Sequence, residues 1–416
     1  MEVIVENKKG YKKTKLGWIP EDWNIKGLKE ILEVGRLGGN YENAESNIGV
    51  PVIKMGNIGR GSIKLDKVQY LPENIEFFED DILKEGDLLF NTRNTLELVG
   101  KVAIWRNELP FAVYNSNLMR MTFNKNIVSN YFMNYAFNSY YGLSQLRGIA
   151  TGTTSVAAIY GKDLKSIKFL LPPIQELNVI VNCLSIWEES IKSLTNLIVQ
   201  KELQNKGLMQ QLLSGKKRLP GFIEKWNYLK FKEIYKSKKQ KAGSTKFMPL
   251  SVTINGIVSQ ADYFNKEITS TDTSPYLVVE RGDMVMSGLN FWMGSIDVLE
   301  EYEKGIVSPA YKVFQIKNPE IDHLFMRFFV RSQIFLRALI GCSVQGASVV
   351  RRNLDKETLE DWDFKLPNKR EQLAIATVLK CSDNEINLLK LKLVLLKKQK
   401  NGLMQQLLTG KKRLNF

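Results

Sequence analysis

A fifteen-residue stretch near the middle of the chain recurs almost unchanged at its end. Residues 205–219 read NKGLMQQLLSGKKRL and residues 400–414 read KNGLMQQLLTGKKRL, which is 195 positions later in a chain of 416. A match of this length, spaced by nearly half the chain, indicates an internal duplication. We therefore predict two large units, each closed by the same helix end.

Apolar residues recur along each repeat in steps of three and four in the first series and of three, four or seven in the second, which is typical of a coiled-coil seam. The two series are Leu177, Ile180, Leu184, Trp187, Ile191, Leu194 and Ile198, and Ile375, Leu379, Ile386, Leu389, Leu393, Leu396, Leu403 and Leu407. Prolines precede each series, and Gly215 and Gly410 follow as C-terminal caps. The sequence predicts two long helices, over 171–215 and 366–410.

Two details of these helices leave alternatives open. Gly207 and Gly402 lie inside them at a cost of about 1 kcal/mol each relative to alanine, so either the helices approach closely there or the glycines are merely tolerated. The Lys-Lys-Arg runs at 216–218 and 411–413 suit either helix capping or contact with a partner subunit better than base reading.

A second pair of matching segments marks where each unit begins. LGWIPEDWNIKGLKEI starts at Leu16 and LPGFIEKWNYLKFKEI at Leu219, with Trp23 opposite Trp226. The predicted organisation is then an N-terminal arm (1–15), a first globular domain (16–170), a central long-helix segment (171–218), a second globular domain (219–365) and a C-terminal long-helix segment (366–416).

Both globular domains share one pattern of short apolar segments and glycine-containing turns, which predicts strands. The predicted strand segments are 50–58, 80–95, 98–105 and 111–123 in the first domain and 248–258, 278–290, 294–300 and 305–316 in the second. A predicted helix follows in each, over 130–146 and 323–339. The fold class is therefore α+β, with the same mixed sheet and helices occurring twice in a pseudo-two-fold repeat.

The net charge of +15 favours a polyanionic partner. No apolar run approaches the roughly 18 residues of a membrane span, so we expect no membrane partner. The three cysteines are far apart and lack CxxC spacing, which argues against a zinc site or a disulfide framework and indicates a cytoplasmic protein.

The motifs resemble those of the specificity subunits of type I restriction–modification systems. YKKTKLGWIPEDWNIKGL (11–28), LPPIQEL (171–177), LPNKREQL (366–373) and the two GLMQQLL repeats, each followed by Gly and KKRL, carry this resemblance over the whole chain. One departure is that the first helix reads Glu176-Leu177 where the family has glutamate then glutamine, as in Glu371-Gln372.

The resemblance implies two target-recognition domains, separated and closed by two long helices that form an antiparallel coiled coil. Each domain would read one half of a bipartite, asymmetric site in double-stranded DNA, and the helices would set the spacer. The family's subunit has no catalysis of its own. It assembles with two methyltransferase subunits and, in the full complex, with restriction and translocase subunits.

The residues themselves show no candidate catalytic site, metal site or cofactor site. There is no phosphate-binding glycine loop and no methyltransferase tetrad, and the one histidine, His323, falls on an amphipathic stretch. A fused methyltransferase is therefore disfavoured. A coiled-coil scaffold unrelated to DNA would leave the +15 charge and the two diverged domains unexplained.

Base reading needs polar loops, and phosphate contacts need Lys and Arg. The predicted DNA-binding residues of the first domain are Asn57, Arg60, Asn91, Arg93, Asn94, Thr151, Thr153, Thr154 and Ser155. Those of the second domain are Lys238, Lys239, Lys241, Ser287, Asn290, Trp292, Gln345, Ser348, Arg351 and Arg352.

Overall fold

The computed structural model describes residues 9–14, 16–42, 48–72, 75–264, 269–345 and 352–414. The chain forms two compact units: the first comprises Met1–Ser193 with Leu393–Phe416, and the second Leu194–Lys392. Each unit therefore contains part of both long helices.

The described residues of the first unit form fourteen strands, four short helices, two 3₁₀ turns and part of each of two 40-residue helices. Its strands are β1 (Tyr11–Thr14), β2 (Gly17–Pro20), β3 (Asn24–Gly27), β4 (Leu32–Leu37), β5 (Val50–Ile53), β6 (Gln69–Leu71), β7 (Leu88–Asn91), β8 (Arg93–Asn94), β9 (Val102–Ile104), β10 (Val113–Tyr114), β11 (Leu118–Phe123), β12 (Thr151–Gly152), β13 (Ala157–Ala158) and β14 (Lys168–Leu171). Its helices are α1 (Leu28–Ile31), α2 (Asn130–Asn138), α3 (Tyr140–Ile149), α4 (Gly161–Leu164) and α5 (Ile174–Leu213), with 3₁₀ turns at Met55–Asn57 and Glu79–Asp81.

The described residues of the second unit repeat this order with twelve strands. They are β15 (Asn227–Lys230), β16 (Tyr235–Lys238), β17 (Leu250–Thr253), β18 (Gly256–Ser259), β19 (Leu277–Glu280), β20 (Met284–Ser287), β21 (Ile296–Val298), β22 (Lys304–Val307), β23 (Tyr311–Ile316), β24 (Ser343–Gln345), β25 (Arg352–Leu354) and β26 (Asp363–Leu366). Its helices are α6 (Phe231–Ile234), α7 (Gln260–Tyr263), α8 (His323–Val330), α9 (Gln333–Gly341), α10 (Lys356–Glu360) and α11 (Lys369–Leu408), with a 3₁₀ turn at Phe291–Met293.

The same antiparallel four-stranded sheet lies at the centre of each unit. Its order is β4-β11-β7-β9 in the first unit and β16-β23-β20-β21 in the second. In each unit the strand that leads into the long helix pairs with the entry strand, β14 with β3 and β26 with β15. The predicted α+β class and the repeated domain are confirmed.

Each predicted helix of the globular domains is in fact two helices. The predicted helix 130–146 is interrupted at Ser139, whose hydroxyl accepts a hydrogen bond from the amide of Gly142. The helix predicted over 323–339 is interrupted at Ser332, whose hydroxyl accepts from Phe335 in the same way. A serine that caps a new helix competes with continuation of the preceding one, which apolar periodicity does not reveal.

The two long helices run antiparallel within each unit. In the first unit, Lys400 of α11 contacts Glu188 of α5 at 2.7 Å. In the second unit, Asn205 of α5 donates to Asp383 of α11, also at 2.7 Å. Both helices bury their seam residues, among them Leu177, Ile180 and Leu184 in the first unit and Ile375 and Leu379 in the second.

Close helix approach does not explain the two helical glycines. A Cβ built on Gly207 or Gly402 would meet no described atom within 4 Å. Within the described chain, the side of each helix at these positions is open. The caps are as predicted, since Gly215 and Gly410 have φ values of 70° and 67°.

The N-terminal segment differs from the predicted arm. Residues 1–8 and 15 lie outside the described residues, but Tyr11–Thr14 forms a strand that pairs with Gly17–Pro20. The Tyr11 hydroxyl also donates to the carbonyl of Gly410 at 2.8 Å. This part of the predicted arm is therefore an ordered part of the first unit.

Candidate nucleic-acid interface

In the first unit, two loops predicted to bind DNA lie side by side. β8 pairs with β13, which places Arg93 opposite Ala158 and Asn94 opposite Ala157. The amide of Leu96 donates to the carbonyl of Thr154 at 3.2 Å. The Thr151–Ser155 loop and Arg93 are exposed, so the fold brings together donors and acceptors separated by about sixty residues in sequence.

Four cations gather next to this pair of loops. The guanidinium of Arg60 donates to the carbonyl of Glu97 at 3.1 Å, and its pKa is lowered by burial and by the charge of Arg147. The pKa of Lys101 is lowered by burial and by Lys64 and Arg60. Like charges that depress one another's pKa create a positive potential that an anion would relieve. Of the four cations Arg60, Lys64, Lys101 and Arg147, only Arg60 was predicted to bind DNA.

Two predicted contact residues of this unit point inward instead. Asn57 is 3% exposed, its Nδ2 donates to the carbonyls of Lys64 and Lys67, and its Oδ1 accepts from the amide of Lys54. Asn91 is fully buried. Both side chains are buried, whereas a base contact needs an exposed group, and their predicted DNA contacts stay untested. Asn57 fixes the turn beside Arg60, since a buried amide is retained where it satisfies backbone groups.

In the second unit, lysines line a cleft of about 380 Å³. Lys239 and Lys241, both predicted, share it with Lys312 and Lys356, which were not. The pKa of Lys312 is lowered by burial and by Lys356, which again indicates cations held close together. Because Lys312 and Lys356 are far from Lys239 and Lys241 in sequence, they could not be grouped with them from the sequence alone.

Lys238 lines the same cleft but is committed to the fold. Its Nζ lies 2.6 Å from Asp283 Oδ2 and 2.9 Å from Glu280 Oε2, and its side chain is 9% exposed. Burial acts to lower the pKa of Lys238, but hydrogen bonds to Asp283 and Glu280 raise it overall. Hydrogen bonds from Lys238 and Lys304 lower the pKa of Glu280 to about 2. Lys238 is thus engaged by two carboxylates within the unit, and its predicted phosphate contact stays a prediction.

The loop after β20 brings three other predicted residues together. The Ser287 hydroxyl accepts from the amide of Asn290 at 3.1 Å. The Trp292 ring lies 5.9 Å from the guanidinium carbon of Arg352, within cation–π range. Gln345 is exposed and pairs with Arg352 in the β24–β25 ladder. Ser348 and Arg351 lie outside the described residues.

The arginine of each KKRL repeat has a structural role that the sequence did not reveal. In the second unit, Arg218 Nη2 donates to Glu371 Oε2 at 2.7 Å, and Trp226 Nε1 donates to the same oxygen at 3.0 Å. The first unit has the same group, in which Arg413 and Trp23 donate to Glu176 at 2.6 and 2.9 Å. We call each group of tryptophan, glutamate and arginine a closing triad. The signal was present, because all three residue types recur at matching positions.

The departure at the first helix start is also visible in the structure. Gln372 accepts from the amide of Asp322 at 2.9 Å and donates to the carbonyls of Glu320 and Pro367. Leu177, at the corresponding position, is fully buried in the apolar core. The contact made by the glutamine is therefore specific to the second unit.

Among the described residues, no helix combines the length and apolar character that a bilayer crossing requires. The same part of the chain contains no group of three or more His, Cys, Asp or Glu side chains placed to hold a metal ion. What each unit presents is a cationic face with exposed amide, hydroxyl and guanidinium groups.

Exposed polar side chains beside clustered cations are typical of the surfaces with which proteins bind nucleic acid. Comparison with known proteins agrees. The family model described as "type I restriction modification DNA specificity domain" matches residues 20–203. A protein of Methanocaldococcus jannaschii assigned as the type I restriction enzyme MjaX specificity subunit is 27% identical over 420 residues, covering 96% of each chain.

Two solved structures have a similar fold. A chain from a study of complex assembly and conformational transition in a type I R-M system has a TM-score of 0.56 at 16% identity, covering 95% of this chain and 99% of that one. The type I restriction–modification S subunit from M. genitalium has a TM-score of 0.53 at 14% identity, covering 93% and 96%. Residues 20–203 thus match the type I specificity domain family, and nearly the whole chain is similar in sequence to a type I specificity subunit.

Proposed function

We propose that each unit reads one half of a bipartite, asymmetric target in double-stranded DNA. The observation that carries this proposal is that each unit has clustered cations, while the loop after the third strand of the central sheet presents different side chains in the two units. Identical faces would read identical half-sites, whereas Arg93 in one unit corresponds to Leu289 in the other.

Roles within each face follow from chemistry. Arg60, Lys64, Lys101 and Arg147 in the first unit bind phosphates, because they are mutually close and positively charged. Lys239, Lys241, Lys312 and Lys356 do so in the second unit. Exposed loop residues read base edges: Arg93, Asn94 and the Thr151–Ser155 loop in the first unit, and Asn290, Gln345 and Arg352 in the second. We retain Ser348 and Arg351 as proposed contacts from the sequence alone.

We also propose that the long helices set the spacer between half-sites and bind two methyltransferase subunits. The repeated helix ends retain exposed residues that neither unit needs for packing, such as Gln211 and Gln406. Gly207 and Gly402 are likewise retained on open helix sides, where a missing side chain lets a partner approach closely. In the second unit a groove of about 540 Å³ lies along this helix end, lined by Lys206 and Met209 among others.

We further propose that the chain contributes no catalytic groups and that methylation and cleavage reside in partner subunits, namely the methyltransferase and the restriction and translocase subunits. Support comes from the sequence, in which the motifs of methyltransferases and phosphate-binding loops are missing.

The test is a methylation map. The chain and its methyltransferase subunits are expressed in a host without other adenine methylation, and methylated positions are read from genomic DNA. One split, asymmetric motif is expected. Arg93→Ala with Asn94→Ala should alter one half of the motif, and Asn290→Ala with Arg352→Ala only the other.

A matched control replaces Lys162 and Lys165, exposed cations of the first unit that lie outside the proposed face, and should leave the motif unchanged. Loop variants that alter both halves together would contradict the modular proposal. Loss of the chain without any loss of methylation would contradict the DNA-recognition role in this system.

A further inference from the structure

The loop after the third strand of the central sheet can be aligned residue by residue between the units. β7 ends at Asn91 and β20 at Ser287, and both strands occupy the same place in the sheet order. The next amide, of Thr92 in one unit and Gly288 in the other, donates to a carbonyl just before the neighbouring strand, at 3.1 Å in both. The following residue is Arg93 in the first unit and Leu289 in the second.

The second unit's loop is held rigidly. The Ser287 hydroxyl accepts from the amides of Leu289 and Asn290 at 3.3 and 3.1 Å. Phe291 is fully buried and anchors a 3₁₀ turn, in which the amide of Met293 donates to the carbonyl of Asn290 at 3.0 Å. Such a loop holds its exposed side chains in place before any ligand arrives.

Two apolar side chains project from this rigid loop. Leu289 is 42% exposed and Met293 52% exposed, although both flank the buried Phe291. Beside them lie the half-buried Trp292 and the cation Arg352. Exposed apolar groups at the centre of a cationic recognition face are expected to contact an apolar group of the ligand.

The major groove of DNA offers one such group, the C5-methyl of thymine. Resting on the proposed function, we propose that Leu289 and Met293 read thymine methyl groups in the half-site of the second unit. The first unit reads its half-site at the corresponding position through the hydrogen-bonding guanidinium of Arg93, whose usual partner is guanine. The two half-sites therefore differ in the chemistry of readout as well as in sequence.

The experiment uses the full chain in complex with its methyltransferase subunits and a fluorescent duplex carrying the mapped target. Each thymine is replaced in turn by deoxyuridine, which removes only the methyl group, and affinity is measured by anisotropy. At one or more thymines of the second unit's half-site, affinity should fall about fourfold, the value of one buried methyl group.

The variants Leu289→Ala and Met293→Ala should abolish that sensitivity, whereas Ile254→Ala, a control at another exposed apolar residue of the same unit, should preserve it. Tolerance of deoxyuridine throughout the half-site, or sensitivity that survives both variants, would overturn the proposal. The proposal would also be overturned if deoxyuridine were tolerated while 2-aminopurine fluorescence reported base unstacking that depends on Leu289. That result would indicate that Leu289 acts as an apolar wedge between bases. In each of these outcomes the complex still binds its target sequence-specifically. Complete absence of sequence-specific binding would instead overturn the proposed function.

Discussion

Glu371 joins three separate segments of the second unit, so replacing it with glutamine is a strong test of how the unit is closed. Its fully buried carboxylate accepts from Arg218 Nε at 2.5 Å, from Arg218 Nη2 at 2.7 Å and from Trp226 Nε1 at 3.0 Å. Glutamine keeps the shape of the side chain but carries no negative charge. Its amide nitrogen is a donor and would face one of these N–H groups without accepting a hydrogen bond from it.

The expected cost follows from the burial of the two partners. Leaving one member of a buried ion pair without its partner costs about 3–5 kcal/mol. The Arg218 side chain is 27% exposed and can be partly solvated, so we expect about 2–3 kcal/mol for Glu371→Gln. In an Arg218→Met background no cation remains, and the same change should cost only about 1 kcal/mol.

Urea unfolding followed by tryptophan fluorescence measures these differences. With a slope near 2 kcal/mol/M, the single variant should unfold about 1 M earlier. Lys217→Gln is the control, because Lys217 is exposed and adjacent to Arg218. The reasoning is refuted if Glu371→Gln lowers the free energy of unfolding by an amount within about 0.5 kcal/mol of the Lys217→Gln effect. It is also refuted if Glu371→Gln costs as much in the Arg218→Met background as in the wild-type chain.

Three further predictions concern the helices and the cationic faces. Gly207→Ala and Gly402→Ala should each stabilise the isolated chain by up to about 1 kcal/mol while weakening methyltransferase binding, and a lower urea midpoint would contradict this. Lys101→Gln should weaken binding to any DNA and reduce the salt slope of affinity by about one, and an unchanged slope would exclude a phosphate contact. Lys238→Met should lower the free energy of unfolding by about 3 kcal/mol and leave the salt slope of DNA affinity unchanged. Lys356→Gln should instead reduce the salt slope and leave the free energy of unfolding unchanged. Unfolding curves and salt titrations of both lysine variants distinguish the two roles.

The repeat, the long helices and the loops of the proposed interface could be placed from the sequence because their signals are local. The apolar series that includes Leu184 and Leu379 specifies a helix seam without knowledge of the fold. Polar residues next to a predicted strand end, such as Arg93, were correctly placed in an exposed loop.

The direction of individual side chains could not be predicted, because it depends on partners distant in sequence. Lys238 belongs to a lysine-rich run, yet it is neutralised by Asp283, 45 residues away. Lys356 appears unremarkable in sequence but completes a cleft with Lys239. Composition predicts that cations will bind an anion, while packing decides which cations remain available.

The discontinuity of the first unit has a consequence for biosynthesis. Trp23 and Glu176 are both synthesised before the second unit, but their partner Arg413 follows Glu176 by 237 residues. At about 5–20 residues per second, roughly ten seconds or more separate Glu176 from Arg413. All residues of the second unit, 194–392, emerge within that interval. The first closing triad can therefore form only after the whole second unit has been synthesised, and a ribosome that stalls before Arg413 would leave Glu176 without its cation.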